Sequence, residues 1–543
     1  MRQPLFTDHR FLVRLSIFVL SIVIVGTSVF PAFAQKQPNI VFIFSDDHAP
    51  HAIGAYDGWL KSVNPTPNID ELAKQGMLFQ NSYCTNSICG PSRAVIITGK
   101  HSHLNGFMNN GNSFDGDQQT FPKLLRNVGY QTAMIGKWHL KSNPQGFDYW
   151  DILPGQGDYY NPRLISQSGR RQVEGHCTEI VTDLAIDWLD KNRDQDKPFM
   201  LMCQHKAPHR CWMPAPEHLN LYDDIEIPEP DTLFDDYADN APAARNQEME
   251  IDRHMHIVYD LFTDPPEGWD GDPKLRTDRS GRRNMEKMTK EQLATWNAAY
   301  QDENEAFAKA NLKGDDLVRW KFQRYAKNYL RCVRGVDDSV GRIMKYLKDN
   351  GLEENTIVVY SSDQGFYVGD HGWYDKRWMY EESFKMPLIV KWPGNTKPGT
   401  RNTNLVQNLD YAETFLEMAG AKVPDDMQGR SLVPLLRGEE VKDWRTSMYY
   451  HFYEYPSVHM CPKHNGVRNE RYKLINIYEF GEFEFYDLEK DPDEKTNQYN
   501  NPAYQTEIAT MKAELESLRN KFGDNTVLPM KPKEWRDKYR VTK

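Results

Sequence analysis

Residues 39–47 read NIVFIFSDD and decide the fold class of this 543-residue chain. The first six residues are almost all apolar and rich in β-branched and aromatic side chains. Such a run is typical of a strand buried on both faces of a parallel sheet. Asp46 and Asp47 follow it directly, and open α/β sheets bind their ligands at the carboxyl ends of their strands. The stretch therefore predicts an α/β sheet with a functional site at one edge.

A second stretch repeats this pattern. Residues 356–365 read TIVVYSSDQG, so Asp363 and Gln364 follow another apolar run. Further strand patterns alternate with helical ones. The strands are expected at 131–135, 199–203 and 388–391, and the helices at 68–75, 120–128, 177–191 and 322–350. This alternation predicts a mostly parallel sheet sandwiched by helices.

Two parts of the chain depart from the alternation. Residues 225–315 are charged and rich in Pro and Asp, which suggests either an insertion near the rim of the site or a plain solvated excursion. Residues 441–543 predict a smaller C-terminal subdomain. It would contain an antiparallel sheet with strands at 447–452, 471–475 and 483–486, followed by a helix at 502–522. The catalytic domain would then span residues 35–440.

The N-terminus has the features of a signal peptide over residues 1–34. Arg2, Arg10 and Arg14 precede an apolar run, and Ala32-Phe33-Ala34 is an A-x-A cleavage site. The run is shorter than the ~20 residues that a membrane-spanning helix needs. We therefore expect cleavage, a periplasmic or secreted protein, and no membrane span afterwards.

The charge argues against nucleic acid as a partner. The formal net charge is −11, and it becomes −13 without the N-terminal 34 residues. An acidic chain is poorly suited to bind a polyphosphate, although a local basic pocket can still bind an anionic glycan. There are seven cysteines, and in an exported protein six of them can pair if Cys89 is modified. Their connectivity stays open.

Residues 89–99 read CGPSRAVIITG, which is the pattern C-x-P-S-R-x4-T-G. This pattern resembles the signature of the formylglycine-dependent sulfatases, which have an alkaline-phosphatase-like fold. The resemblance extends from about residue 38 to about residue 500. It implies that Cys89 is oxidised to an aldehyde (3-oxoalanine) by a formylglycine-generating or anaerobic sulfatase-maturating enzyme. The hydrated aldehyde carries two hydroxyls, one to attack sulfur and one to release the sulfate. Arg93 would hold the aldehyde and the metal site.

The oxygen-bearing side chains at the two strand ends predict a metal site. Asp46, Asp47, Asp363 and Gln364 offer hard ligands, which suit Ca²⁺, and less so Mg²⁺, rather than zinc. The resemblance adds modified Cys89 to this set. The family often has Asn or His where Gln364 stands, but Gln still supplies a carbonyl oxygen.

Three further segments carry candidate catalytic groups. Residues 136–139, GKWH, resemble the sulfatase segment in which a Lys neutralises sulfate and a His acts as base, which implies Lys137 and His139. Residues 205–209, HKAPH, resemble the segment whose second His protonates the leaving alcohol. His209 would take that role, and His205 would contact either substrate or structure. The resemblance also implies that Lys376, in preference to Arg377, is the Lys that in the family binds the sulfate and assists the leaving group.

The substrate is suggested by two segments. Residues 155–162 and 459–468, with His464, resemble bacterial sulfatases that act on N-acetylglucosamine 6-sulfate in glycosaminoglycans or mucins. His464, Trp212, Trp373 and Trp378 are candidates for a sugar subsite, although each tryptophan is more often a core residue. Other sulfated polysaccharides, including algal ones, stay open. A phosphonate monoester or phosphodiester hydrolase with the same nucleophile and a non-catalytic glycan-binding relative are the competing classes.

Overall fold

The computed structural model describes residues 37–265, 278–456 and 458–539. The predicted signal peptide lies outside the described residues. The strands, in chain order, are β1 (Asn39–Ser45), β2 (Met77–Phe79), β3 (Ser82–Tyr83), β4 (Gln131–Lys137), β5 (Tyr149–Leu153), β6 (Arg163–Ser166), β7 (Gly169–Gln172), β8 (Phe199–Gln204), β9 (Thr356–Ser362), β10 (Tyr367–Val368), β11 (Tyr374–Asp375), β12 (Leu388–Lys391), β13 (Thr400–Asn402), β14 (Val406–Gln407), β15 (Ser447–Phe452), β16 (His464–Asn469), β17 (Tyr472–Ile477) and β18 (Glu482–Asp487).

The α-helices are α1 (Pro67–Gln75), α2 (Cys89–Thr98), α3 (Ser102–Asn105), α4 (Phe121–Asn127), α5 (Cys177–Asp187), α6 (Ile251–His254), α7 (Ile257–Leu261), α8 (Asp278–Met285), α9 (Lys290–Ala310), α10 (Gly314–Asp349), α11 (Glu381–Phe384), α12 (Tyr411–Met418), α13 (Val433–Leu436), α14 (Gln505–Lys521) and α15 (Lys533–Tyr539).

Ten strands form the central sheet in the order β13-β2-β12-β9-β1-β8-β4-β5-β6-β7. The five in the middle, β9, β1, β8, β4 and β5, run parallel. β1 is buried along its whole length. Ile40 and Phe42 face one side of the sheet, where α2, α4 and α12 pack, and Val41 faces the other side, where α1, α5 and α10 pack. The expected α/β sandwich is confirmed.

The C-terminal strands form a second, antiparallel sheet in the order β15-β16-β17-β18. Its outer face packs on α14 through Val467, Leu474 and Leu515. Its inner face, including Tyr450 and Ile475, joins the apolar core on one side of the main sheet. The antiparallel sheet is therefore anchored on both faces.

The structure adds two details to the expected elements and changes a third. β12 runs antiparallel to β9, because residues 363–387 stay at the carboxyl edge of the sheet and the chain re-enters from that side. β16 was not anticipated, since its sequence HNGVRN lacks apolar alternation. α10 begins eight residues earlier than its periodicity indicates. In the described part of the chain, no helix is both long and apolar enough to cross a membrane. The seven cysteines, all within the described residues, are buried and unpaired.

A buried ion-pair cluster joins the antiparallel sheet to the main domain. Lys473, on β17, is fully buried and its Nζ lies 2.9 Å from Glu381 Oε1 on α11 and 2.8 Å from Glu494 Oε1. Burial raises the pKa of Glu494 to about 7 even though Lys473 opposes the shift. Burial also acts on Glu381, but Arg468 and Lys473 outweigh it and lower the pKa of that carboxyl. One buried ammonium, that of Lys473, therefore forms ion pairs with two carboxylates.

Replacing that ammonium should strongly destabilise the protein. In Lys473→Met, both carboxylates lose a buried partner, and breaking a buried pair typically costs about 3–5 kcal/mol. Thermal unfolding of the purified variant measures this loss. Lys490→Met is the matched control, because its ammonium is exposed, and it should leave the unfolding temperature almost unchanged. Equal unfolding temperatures for the two variants would contradict the structural role of the cluster.

Candidate active site

The carboxyl ends of four neighbouring parallel strands gather the predicted residues. β1 pairs with β9 in a register that sets Ser45 opposite Ser362, so Asp46 and Asp363 emerge side by side. β4 ends at Lys137, and β8 ends just before the loop that carries His209. Because parallel strands present their carboxyl ends at one edge, residues far apart in sequence meet there.

Cys89 is the first residue of α2 and is completely buried. Burial raises the pKa of its thiol, so the thiol stays protonated and is a poor nucleophile as it stands. The helix start leaves no room beside it, since a Cβ at Gly90 would lie 2.6 Å from the Phe107 ring. Ser92 donates a hydrogen bond to the main-chain carbonyl of Asp363, which ties α2 to the end of β9.

Three buried carboxylates form the acidic centre of the site. Oxygens of Asp46, Asp47 and Asp363 lie within 4.8 Å of one another. Burial, together with nearby carboxylates, raises the pKa of Asp47 to about 7 against the opposing effect of Lys376. Gln364 donates to Asp47 and, at 2.8 Å, to Asp363. Its own Oε1, like Asp46 Oδ1, has no hydrogen-bond partner among the described residues.

These oxygens fit a divalent cation. Crowded buried carboxylates repel one another unless a positive charge lies between them, and two unpartnered buried oxygens are ready to ligate. Three carboxylates and an amide carbonyl are the hard donors that Ca²⁺ and Mg²⁺ prefer. Asp46, Asp47, Asp363 and Gln364 would hold such an ion.

Each of the three carboxylates also has a cationic partner. Arg93 Nε lies 3.0 Å from Asp363 Oδ2, and its Nη1 donates to the Lys137 carbonyl at 2.7 Å. Lys137 contacts Asp46, and Lys376 Nζ lies 2.6 Å from Asp47 Oδ2. Burial lowers the pKa of Lys137 well below its ordinary value. At Lys376, burial also favours the neutral form, but Asp375 and Asp47 outweigh it and raise the pKa.

Two histidines complete the centre. His209 Nδ1 lies 2.6 Å from the Arg210 carbonyl and donates to it, so Nε2 is left for proton exchange. That Nε2 is 3.7 Å from Asp47 Oδ2. Burial, reinforced by nearby lysines, lowers the pKa of both His139 and His209 well below the usual value. Both rings are therefore neutral here and able to accept a proton.

The backbone around the site is held in left-handed conformations that side chains rarely adopt. Asp47, His139, Asp375, Arg377 and His459 have φ values of 70°, 56°, 85°, 96° and 71°. Such residues cluster at functional sites, where surrounding structure fixes them. Gly136 shows why the segment needs glycine, since its φ is 102° and a Cβ would lie 1.9 Å from the Gln204 carbonyl oxygen.

A cavity of about 410 Å³ opens above this centre. Cys89, His139, His209 and Lys376 line its floor. Its walls come from Asn110, Gly111, residues 156–159, Lys206, Arg210, Cys211, Met213, Asp375, Arg377, Glu454, Val458 and His459, with Tyr259 and Asn284 contributed by the 225–315 segment. Cys89, His139, His209 and Lys376 thus face one cavity, and Lys376 connects it to the acidic centre through Asp47.

Comparisons with known proteins agree with this arrangement. The sulfatase family model matches residues 38–421, and a model of the N-sulphoglucosamine sulphohydrolase C-terminal region matches residues 369–521. The chain belongs to the sulfatase family. It is therefore a sulfuric ester hydrolase, as the motif at Cys89 predicts.

Individual relatives are also similar over most of their length. The N-acetylglucosamine-6-O-sulfatase of Bacteroides thetaiotaomicron is 46% identical over 497 residues, which are 90% of this chain and 88% of that protein. The human N-acetylglucosamine-6-sulfatase is 29% identical over 77% of this chain and 67% of its own. One solved structure is of a protein in complex with its substrate D-glucosamine-2-N,6-O-disulfate. It is similar to this chain with a TM-score of 0.84 and 44% identity, over 90% of this chain and 99% of that one.

The structure places two predicted substrate-binding histidines away from the cavity. His205 is buried with its Nε2 2.9 Å from Ser339 Oγ on α10. It continues the alternation of β8, so it faces the same helix layer as Cys203. His464 is also buried, with Nδ1 2.7 Å from the Pro462 carbonyl and its ring against Trp378. These contacts give both histidines structural partners within the sulfatase core.

The three tryptophans proposed for a sugar subsite belong to the core as well. Trp212, Trp373 and Trp378 are each at most 1% exposed, and none lines the cavity. The cavity instead contains residues that were not singled out, namely Asn110, Lys206, Arg210, Tyr259, Asn284 and Glu454. Lys206 and Arg210 flank His209 in sequence, which was an available signal. Asn110 and Glu454 lie in loops, and Tyr259 and Asn284 lie on α7 and α8. None of these four segments has a recognisable sequence pattern.

The acidic centre predicts stabilisation of this sulfatase by calcium. A ligand that binds only the folded state stabilises it by about 4 kcal/mol when the ligand concentration is about 1,000 times its Kd. Added Ca²⁺ should therefore raise the unfolding temperature of chelator-treated protein by several degrees. Asp363→Ala should abolish this rise. Asp337→Asn, a buried Asp that caps α1 instead, should lower the unfolding temperature yet keep the rise. An undiminished calcium effect in Asp363→Ala would contradict the assigned ligand set.

Proposed function

We propose that this sulfatase removes the 6-O-sulfate from glucosamine units of a sulfated glycan, either N-acetylated or N-sulfated. The observation that carries the proposal is the 46% identity, across 90% of the chain, to a protein named N-acetylglucosamine-6-O-sulfatase. The similar structure that holds D-glucosamine-2-N,6-O-disulfate supports the same sugar. A glycosaminoglycan or mucin would supply such units.

The nucleophile proposed is formylglycine at position 89, made by a maturation enzyme. Its hydrate supplies one hydroxyl to attack sulfur and a second whose deprotonation releases the sulfate. Two features support the proposal: the CGPSR string, and a buried protonated thiol that is itself a poor nucleophile.

The metal proposed is Ca²⁺, held by Asp46, Asp47, Asp363 and Gln364. When bound, it supplies Lewis acidity that polarises the sulfate and makes a neighbouring hydroxyl more acidic. Arg93 fixes one of its ligands, since it holds the Asp363 carboxylate at 3.0 Å. Lys137 and Lys376 place positive charge beside the oxygens of a bound sulfate ester.

His209 and His139 would each carry out a different proton transfer. His209 presents Nε2 to the cavity, and a bound sulfate ester brings the negative charge that favours the protonated ring. His209 would then donate its proton to the departing sugar oxygen. His139, held on a left-handed backbone beside Lys137, would accept the proton from the second hydroxyl at position 89.

Export is part of the proposal. The basic residues, apolar run and A-x-A site of residues 1–34 support cleavage near Gln35 and a periplasmic or secreted enzyme. N-terminal sequencing of the mature protein tests this point.

Mutation of Cys89 should abolish turnover and leave the fold intact. Mass spectrometry should detect an aldehyde in the peptide containing residue 89 after co-expression with a maturation enzyme, and no aldehyde in Cys89→Ala. Cys84→Ala is a matched control, because Cys84 is an equally buried thiol outside the cavity. Hydrolysis of N-acetylglucosamine 6-sulfate at the wild-type rate by Cys89→Ala would exclude the proposed nucleophile.

Loss of His209 should matter most for poor leaving groups. General acid catalysis typically contributes about 100-fold or more, and a sugar alkoxide needs a proton whereas a nitrophenolate leaves largely unaided. His209→Ala should therefore reduce kcat on a sugar 6-sulfate at least about 100-fold and change nitrophenyl sulfate hydrolysis far less. His139→Ala, in contrast, should slow both substrates alike. Equal losses on both substrates in His209→Ala would move the general-acid role to Lys376.

A further inference from the structure

Lys206 differs from the other cations that line the cavity. Arg210 is held by Asp260 at 2.6 and 2.7 Å, Lys376 by Asp47 at 2.6 Å, and Arg377 by Asp375. Lys206 has no hydrogen bond from its ammonium and no ion pair within the described parts of the chain. Its one specific contact is with the ring of Tyr159, whose centroid is 4.7 Å from Nζ.

This ammonium is almost completely removed from water. Lys206 is only 4% exposed, and burial lowers the pKa of its side chain. An aromatic face replaces only part of the hydration that a buried cation loses. Asp158, which also lines the cavity, does not form a close pair with Lys206, since Lys287 binds it. A buried, unpaired ammonium at a cavity wall is arranged to take an anion from solution.

The position of Lys206 relates that anion to the reacting sugar. The Lys206 carbonyl accepts a hydrogen bond from the His209 N–H at 3.0 Å, so one tight turn carries both side chains to the cavity. Tyr159 donates its hydroxyl hydrogen to the His209 carbonyl at 2.7 Å and also supplies the ring beneath Lys206. In the proposed function His209 would face the ester oxygen that joins the sulfate to the sugar, and an anion at Lys206 would lie in the same part of the cavity.

The sulfate being hydrolysed already has its own cations. Lys137 and Lys376 lie beside the carboxylate centre together with Arg93. Lys206 differs from these three cations because no carboxylate pairs closely with it, so it is available for a second negative charge. In a glucosamine 6-sulfate, the amino group at C2 is one position that can carry a second sulfo group, as it does in the D-glucosamine-2-N,6-O-disulfate bound to the similar solved structure.

We infer that Lys206 binds a sulfo group on the C2 nitrogen of the substrate and makes this enzyme prefer doubly sulfated glucosamine to its N-acetylated counterpart. The inference rests on the proposed function, because it assumes a 6-sulfated glucosamine in the cavity. Lys206 is a specificity-determining residue in this role. The turn that joins it to His209 makes one short segment responsible both for protonating the leaving group and for selecting the sugar.

Binding measurements test the inference separately from catalysis. Calorimetry on calcium-loaded Cys89→Ala protein would measure the Kd of D-glucosamine 2-N-sulfate, which has no 6-sulfate, and of N-acetylglucosamine 6-sulfate, which has no N-sulfo group. Adding Lys206→Met should weaken binding of D-glucosamine 2-N-sulfate at least about tenfold, as loss of a charged hydrogen bond does. It should weaken binding of N-acetylglucosamine 6-sulfate less than about threefold. Adding Lys206→Arg should keep most of the affinity for the N-sulfo sugar.

A second variant keeps Lys206 itself intact. Lys287→Met frees Asp158 to pair with Lys206, so it should also weaken binding of the N-sulfo sugar while leaving the 6-sulfate sugar unaffected. Unchanged N-sulfo affinity in Lys206→Met would overturn the inference. Loss confined to the 6-sulfate sugar would overturn it as well, because Lys206 would then serve the reacting sulfate. Turnover of N-acetylglucosamine 6-sulfate by the matured wild type reports on the proposed function independently of either result.

Discussion

The structure depends on one electrostatic constraint, namely that three buried carboxylates must lie within 4.8 Å of one another at the end of two parallel strands. Such a cluster is unstable unless it is matched by positive charge. Arg93, Lys137 and Lys376 supply three cations, each from a different element, and a divalent ion would supply the rest. Helix α2, strand β4 and the loop after β11 are thereby drawn to the same point.

The same constraint explains why the site residues are so densely connected by hydrogen bonds and ion pairs. Arg93 binds Asp363, the Lys137 carbonyl and Gln204 together, so it connects the ends of β9, β4 and β8 across the end of β1. Residues in left-handed conformations, among them Asp47 and His139, are held by this network rather than by local preference. A preorganised set of charges costs little rearrangement when a sulfate ester arrives, which is how such sites lower reaction barriers.

Most of the residues that line the cavity walls lie on different elements from the charged residues at the strand ends. The strand ends provide the charges that act on any sulfate ester, whereas the cavity walls come from loops and from the 225–315 segment. Tyr259, Asn284 and Lys206 therefore line the cavity from elements that do not hold the charged centre. Loops on a rigid scaffold commonly carry specificity in this way.

Local sequence was sufficient to predict the sheet, its flanking helices and most of the charged centre. Apolar runs that end in Asp46-Asp47 and Asp363-Gln364 report burial and strand direction directly, and parallel strands bring their ends together. The motif around Cys89 and the segments at Lys137 and His209 were readable because their residues are contiguous.

Tertiary structure alone decided which side chains reach the cavity. His205 and His464 lie in readable segments yet face the core, because strand alternation and packing against α10 and Trp378 turn them inward. Lys206 reaches the cavity because a tight turn carries it there, and its lack of a carboxylate partner depends on Lys287, 81 positions away in sequence. Pairing between distant charges follows from how loops pack, and no short stretch of sequence records it.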